Sequence, residues 1–111
     1  MENNVIIDLN KFRTPGARVF TGRPRGEEVR TNSKVDELET KAEHITVRIP
    51  EDTITINPSF LEEFFRLVVR KLGPAGFRQK FVFDNPGAYK IQDNLDLAIE
   101  RILRGTNALA Q

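Results

Sequence analysis

The sequence predicts an α/β fold: a single small domain with a mixed sheet of about four strands and helices packed on it. Three observations carry this reading. Short β-rich runs alternate along the chain with stretches of helical periodicity, the pattern of βαβ units. One stretch, residues 57–73, reads as a strongly specified amphipathic helix. A length of 111 residues suits one hydrophobic core.

Taken in order, Val5-Ile6-Ile7-Asp8-Leu9 reads as the first strand. From Lys11 to Arg25 the pairs Thr14-Pro15 and Arg23-Pro24, with Gly16 and Gly22, predict a loop of about 15 residues. Arg18-Val19-Phe20 is a short extended piece within it. Glu27 to Glu43 is a weak helix, one irregular element or two short ones, with Glu27 and Glu28 in its first turn. Ile45-Thr46-Val47-Arg48-Ile49 alternates as a strand does. Pro50-Glu51-Asp52 interrupts it, and Thr53-Ile54-Thr55-Ile56 alternates again, either as the return arm of a hairpin or as a connector into the next helix.

That helix organises the chain. Ser59 followed three residues later by Glu62 reads as a capping box. Phe60, Leu61, Phe64, Phe65, Val68, Val69 and Leu72 form one apolar stripe, and Gly73-Pro74 stops it. Phe77 to Asp84 reads as a strand with Phe77, Phe81 and Phe83 on one face and Val82 on the other, covered at least partly on both sides. Asn85-Pro86-Gly87 is a turn. Asp93 or Asn94 caps a last helix whose buried stripe is Leu95, Ala98, Ile99, Ile102 and Leu103, and Gly105 ends it. Residues 1–4 and 106–111 read as frayed ends of a single 1–111 domain.

Composition excludes several classes. No cysteine is present, so disulfide scaffolds, thiol catalysis and finger-type zinc sites are out. The one histidine, His44, cannot build a multi-histidine metal site and reads as structural or exposed. No apolar run approaches a membrane span, and no signal peptide is evident, so the cytoplasm is the expected location. No cofactor is implied. The net charge of +1 is uninformative, but Lys11 to Arg30 holds six basic residues against two acidic ones.

Two segments stand out as candidate sites. Ser59, at a helix start, is a candidate phosphoacceptor, since a phosphate there would meet free amides and the helix dipole. Its pairing with Glu62 favours a plain capping role. Thr21-Gly22-Arg23-Pro24-Arg25-Gly26 sets arginines in a glycine-containing loop that could bind phosphate or acidic protein surfaces, though its spacing is not that of a Walker loop. Pairing of Arg25 or Arg30 with Glu27, Glu28 or Asp52 is the plainer alternative. Glu62 and Glu63 diverge by about 100° on a helix and do not converge on a reacting atom; they read as cap and solvated face. The phenylalanines read as core rather than as base-stacking platforms.

The stretch Val47-Arg48-Ile49, then Thr53 through Phe65, resembles the STAS-like domain family of unknown function found in bacteria, with its strand, short connector and Ser-Phe-Leu-Glu-Glu helix start. Thr21-Gly22-Arg23-Pro24-Arg25-Gly26-Glu27-Glu28-Val29-Arg30 is similar to the Arg/Gly-rich segment preceding the first helix of that family. More distantly, the layout resembles the STAS domains of anti-sigma factor antagonists. Those are switched when a kinase-type anti-sigma factor phosphorylates the first serine of an Asp-Ser-Ser-Gly helix start. Here Asn57 stands for the aspartate, Pro58 for the first serine, and Ser59 matches the second, capping serine. The resemblance favours the connector reading of residues 53–56. It implies a non-enzymatic regulatory or protein-interaction module, in partner switching or transcription regulation. The implied partner is a histidine-kinase-like ATPase or an anti-sigma factor. The implied contact surface is Asn57, Ser59, Glu62 and Glu63 with Arg23 and Arg25. The alternative is a nucleic-acid or phosphate binder using the arginines of residues 13–30.

Overall fold

A computed structural model describes residues 4–110, with full burial and contacts as far as residue 105. Of the loose ends expected at residues 1–4 and 106–111, Asn4 lies in a strand and the backbone of 106–110 is helical, while residues 1–3 and 111 and the side chains of 106–110 lie outside that description. The elements run β1 (Asn4–Asp8), a 3-10 turn (Leu9–Lys11), β2 (Val19–Phe20), α1 (Arg23–Ser33), α2 (Val35–Lys41), β3 (His44–Arg48), β4 (Thr55–Ile56), α3 (Pro58–Lys80), β5 (Phe81–Asp84) and α4 (Gln92–Ala110). The α/β class holds. The single mixed sheet of four strands does not: among the described residues five strands form two sheets, and every pairing is parallel.

The main sheet has the order β1-β3-β5. Stepping one way across a parallel sheet with right-handed crossovers puts all the helices on one face. The alternation of burial agrees. Ile7, Ile45, Val47 and Phe81 are buried. Ile6, Thr46 and Val82, aligned across the three strands, face outward, with Ile6 and Val82 each 51% exposed. Among the described residues the sheet is therefore covered on one side, not both.

The second sheet is the extended piece Val19–Phe20 paired with Thr55–Ile56. This excludes the hairpin for residues 53–56 and explains the extra strand. Arg18 carbonyl accepts from the Ile54 amide at 2.7 Å, and Phe20 carbonyl accepts from the Asn57 amide at 2.8 Å. The long loop after β1 is thereby stitched to the connector that leads into α3.

Several helix boundaries differ from expectation. The weak helix is two short ones, as one of its two readings has it, separated by Lys34 in the left-handed conformation (φ 59). The first begins at Arg23 because Pro24 suits a first helical turn and Gly22 (φ 91) turns the chain into it. Arg23 and Arg25 are thus helical, and Glu27 and Glu28 lie beyond the first turn. The α3 helix breaks at Gly73 (φ 75, ψ 167), but Pro74 opens a further helical piece rather than ending it. That piece runs through Phe77 to Lys80, so the strand starts only at Phe81. In the last helix Gln92 already belongs to the first turn, so neither Asp93 nor Asn94 is the cap, and the backbone continues helically past Gly105.

The core is the α3 stripe against sheet and neighbours. Phe60, Leu61, Phe64, Phe65, Val68 and Val69 are all buried, as are Leu95, Ala98, Ile99 and Ile102 of α4. Phenylalanine rings run in contact from Phe20 through Phe60, Phe64, Phe65 and Phe77 to Phe81 and Phe83, edge-on or stacked. The core reading of these residues is correct.

Candidate functional site: the paired starts of two helices

The starts of α1 and α3 lie side by side, and one residue makes that approach feasible. Gly26 sits against the backbone of α3, where a Cβ would fall 2.4 Å from the Phe60 carbonyl oxygen. Only a residue without a side chain fits there. The Asn57 amide nitrogen Nδ2 donates to Thr21 Oγ1 at 2.6 Å, tying the two helix entries together. The Arg/Gly segment and the Asn57–Glu63 stretch, distant in sequence, therefore form one surface.

Asn57, not Ser59, holds the cap position of α3. Pro58 takes the first helical place, which pushes Ser59 to the second. The expected capping box is absent: no side-chain bond caps this helix, and the half-buried Ser59 hydroxyl has no hydrogen-bond partner among the described residues.

Glu62 is no solvated-face residue either. Its side chain is only 5% exposed and is held by two arginines from different helices. Arg23 Nη1 lies 3.2 Å from Oε1, and Arg101 Nη1 lies 3.4 Å from Oε2. The Glu62 carboxylate holds the Arg23 guanidinium above its ordinary pKa. Glu63 takes the other contact of Arg23, at 3.3 Å, and a close bond from Arg66. Burial alone would raise the Glu63 pKa, but Arg66 and then Arg23 outweigh it and hold the group below the usual glutamate value. Arg30 Nη1 reaches the Glu63 carbonyl at 3.4 Å and its Nε lies 3.5 Å from Asp36. Arg25 turns away to Glu28 at 2.6 Å and Thr14 at 3.0 Å.

The structure thus brings Asn57, Ser59, Glu62, Glu63 and Arg23 together, and leaves Arg25 at the margin. Sequence reasoning missed Arg101, which only the packing of α4 beside α3 brings to Glu62. It missed the burial of Glu62 as well, although Glu62 precedes Phe65 by three residues and Val69 by seven, on the apolar stripe. Tyr89 and Asn94 were also missed: both donate to the Ile56 carbonyl, at 3.1 and 2.9 Å, and so fix the residue that leads into α3.

Every arginine of residues 13–30 has an acidic partner: Arg13 and Arg18 with Asp52, Arg23 with Glu62 and Glu63, Arg25 with Glu28, Arg30 with Asp36. Among the described residues no group of three acidic or histidine side chains is placed to hold a metal ion, and no helix is long and apolar enough to cross a membrane. No family model, curated protein or solved structure matches this chain.

Proposed function

We propose that this chain is a regulatory protein-interaction module of STAS-like type, acting by binding rather than by catalysis, with the paired starts of α1 and α3 as its contact surface. The observation that carries the reading is the uncommitted Ser59 hydroxyl on a surface already bridged by Arg23, Glu62 and Glu63. Ser59, Glu62 and Glu63 are spaced i, i+3 and i+4, so they share one helix face. A phosphate on Ser59 would gain the dipole of the helix start, although Pro58 has no N–H and the Phe60 and Leu61 amides already donate to the Asn57 carbonyl. It would also add charge one turn before two carboxylates and compete with them for Arg23. Phosphorylation would in this way rewrite the charge pattern of the contact surface without unfolding it. A histidine-kinase-like ATPase or anti-sigma factor is the partner class that the family resemblance supplies.

The arginine pairing weighs against the nucleic-acid reading, because a carboxylate already offsets the charge of each arginine that would meet a phosphate. The test is affinity capture from the native organism's lysate, with nuclease, comparing the wild type with Ser59→Ala and Ser59→Asp. The expected result is a nuclease-resistant protein partner retained by Ser59→Ala and lost by Ser59→Asp. Equal capture by all three would remove Ser59 from the mechanism, and partners lost on nuclease treatment would move the function to the arginines.

A further inference from the structure

We propose that the cleft at the carboxyl ends of β1 and β3 binds a small aliphatic amine. The cleft has a volume of about 460 Å³ and is distinct from the α1–α3 surface. It lies outside the carboxyl ends of the parallel strands β1 and β3. Its size suits a small molecule.

The chemistry of its walls selects the ligand. Two guanidiniums reach the cleft, and both are engaged. Arg13 Nη1 bonds Asp52 at 2.8 Å and the Ala17 carbonyl at 2.9 Å. Arg48 Nε bonds Asp84 at 3.0 Å. The charge of each is offset by a carboxylate partner, which weakens either as an anion site. The carboxylates of Asp8 and Glu51 are in the opposite position. Asp8 accepts only the Asn10 backbone amide, at 3.0 Å, and Glu51 has no side-chain hydrogen bond or ion pair among the described residues. The uncompensated charge of the cleft is therefore negative. Pro50 and Pro86 add apolar wall. Carboxylates beside an apolar wall fit an ammonium on a short hydrocarbon stem.

The cleft is also rigidly built. Gly87 packs its backbone onto the Glu51 carbonyl, where a Cβ would fall 2.2 Å from the oxygen. The loop after β5 is thus seated on the Pro50–Asp52 turn, and two walls are held at a fixed separation before any ligand arrives.

The test is an NMR titration of the full chain with putrescine at low salt. Butanediol and succinate serve as neutral and anionic counterparts, and a lysine blocked at both backbone ends as a protein-like source of the ammonium. Putrescine is expected to shift the Asn10, Ile49 and Glu51 amides saturably. Glu51→Gln, and Asp8→Asn with Glu51→Gln, are expected to weaken it by about tenfold or more, as for loss of a hydrogen bond to a charged group. Asn at position 8 keeps the acceptor for the Asn10 amide, and Glu51 is exposed, so both variants are expected to fold. Shifts that do not saturate, equal shifts from butanediol or succinate, or undiminished binding by the folded double variant would overturn the proposal. Blocked lysine binding as tightly as putrescine would overturn the free-amine assignment in favour of a basic protein segment.

Discussion

Neither Ser59 nor Glu62 plays the capping role that their spacing suggests, and mutation separates them. With no side-chain bond in the structure, Ser59→Ala is expected to change stability by less than about 0.5 kcal/mol, as surface substitutions do, rather than the ~1 kcal/mol of a lost cap. Loss of partner capture in so stable a variant would assign Ser59 to recognition. Glu62 is asymmetric. Its carboxylate is buried, whereas Arg23 and Arg101 are about half exposed. Glu62→Gln releases two arginines that water can solvate. Replacing both arginines by alanine strands a buried charge, and the expected loss is about 3 kcal/mol or more, clearly above that of Glu62→Gln. Urea unfolding of the three proteins checks the order. Gly26→Ala is expected to be at least as damaging as an overpacked core, about 1–3 kcal/mol, because the backbone oxygen it meets belongs to α3 and cannot rotate away.

At the scale of elements, α3 carries the fold. Phe64 is fully buried, so Phe64→Ala should cost about 3–5 kcal/mol, read as a fall in the thermal midpoint. The apolar stripe of this helix is legible in the sequence because seven apolar residues repeat at one period and nothing local opposes them. The end of the helix is not. Phe77 and Phe81 stand four apart and Phe81 and Phe83 two apart, so the aromatics satisfy both periods, and residues 77–80, helical in the structure, read as the start of the strand. Gly73 looks like a terminator, yet its extended, positive-φ geometry only re-aims the chain. Gly73→Ala should cost about 1–3 kcal/mol through that conformation, and nothing through crowding, since no atom lies within 4 Å of the added Cβ. The second sheet was legible only as two separate extended pieces. Their pairing rests on backbone bonds between residues far apart in sequence, which no local pattern records. The candidate surface was named from two motifs, and their adjacency depends on Gly26 meeting Phe60, again a fact of packing.

For the whole molecule, buried carboxylates set the response to acid. Glu39 of α2 is 3% exposed; burial raises its pKa, but bonds from Lys71 at 2.7 Å and Lys80 at 2.9 Å outweigh that and hold it below its ordinary value. Glu63 behaves alike. For carboxylates depressed in the folded chain, the stabilisation is complete above the unfolded value of about 4.5 and is lost as pH falls through the folded values. Asp36 runs the other way: burial raises it, and its charge trims stability above about 3.8. The expected profile is a plateau near neutrality and a decline beginning near pH 4.5, measured as the urea midpoint against pH. A decline that begins well above that value would remove Glu39 and Glu63 as its source. The all-parallel pairing also dictates how the molecule is born. No strand can pair with its neighbour in sequence, since each waits for a partner beyond an intervening helix. As the chain leaves the ribosome, Val5-Ile6-Ile7 stays unpaired until His44–Arg48 emerges, and the sheet stays incomplete until Phe81–Asp84 follows. Helices come first and the sheet closes last, so the apolar first strand is the segment most in need of shelter during synthesis.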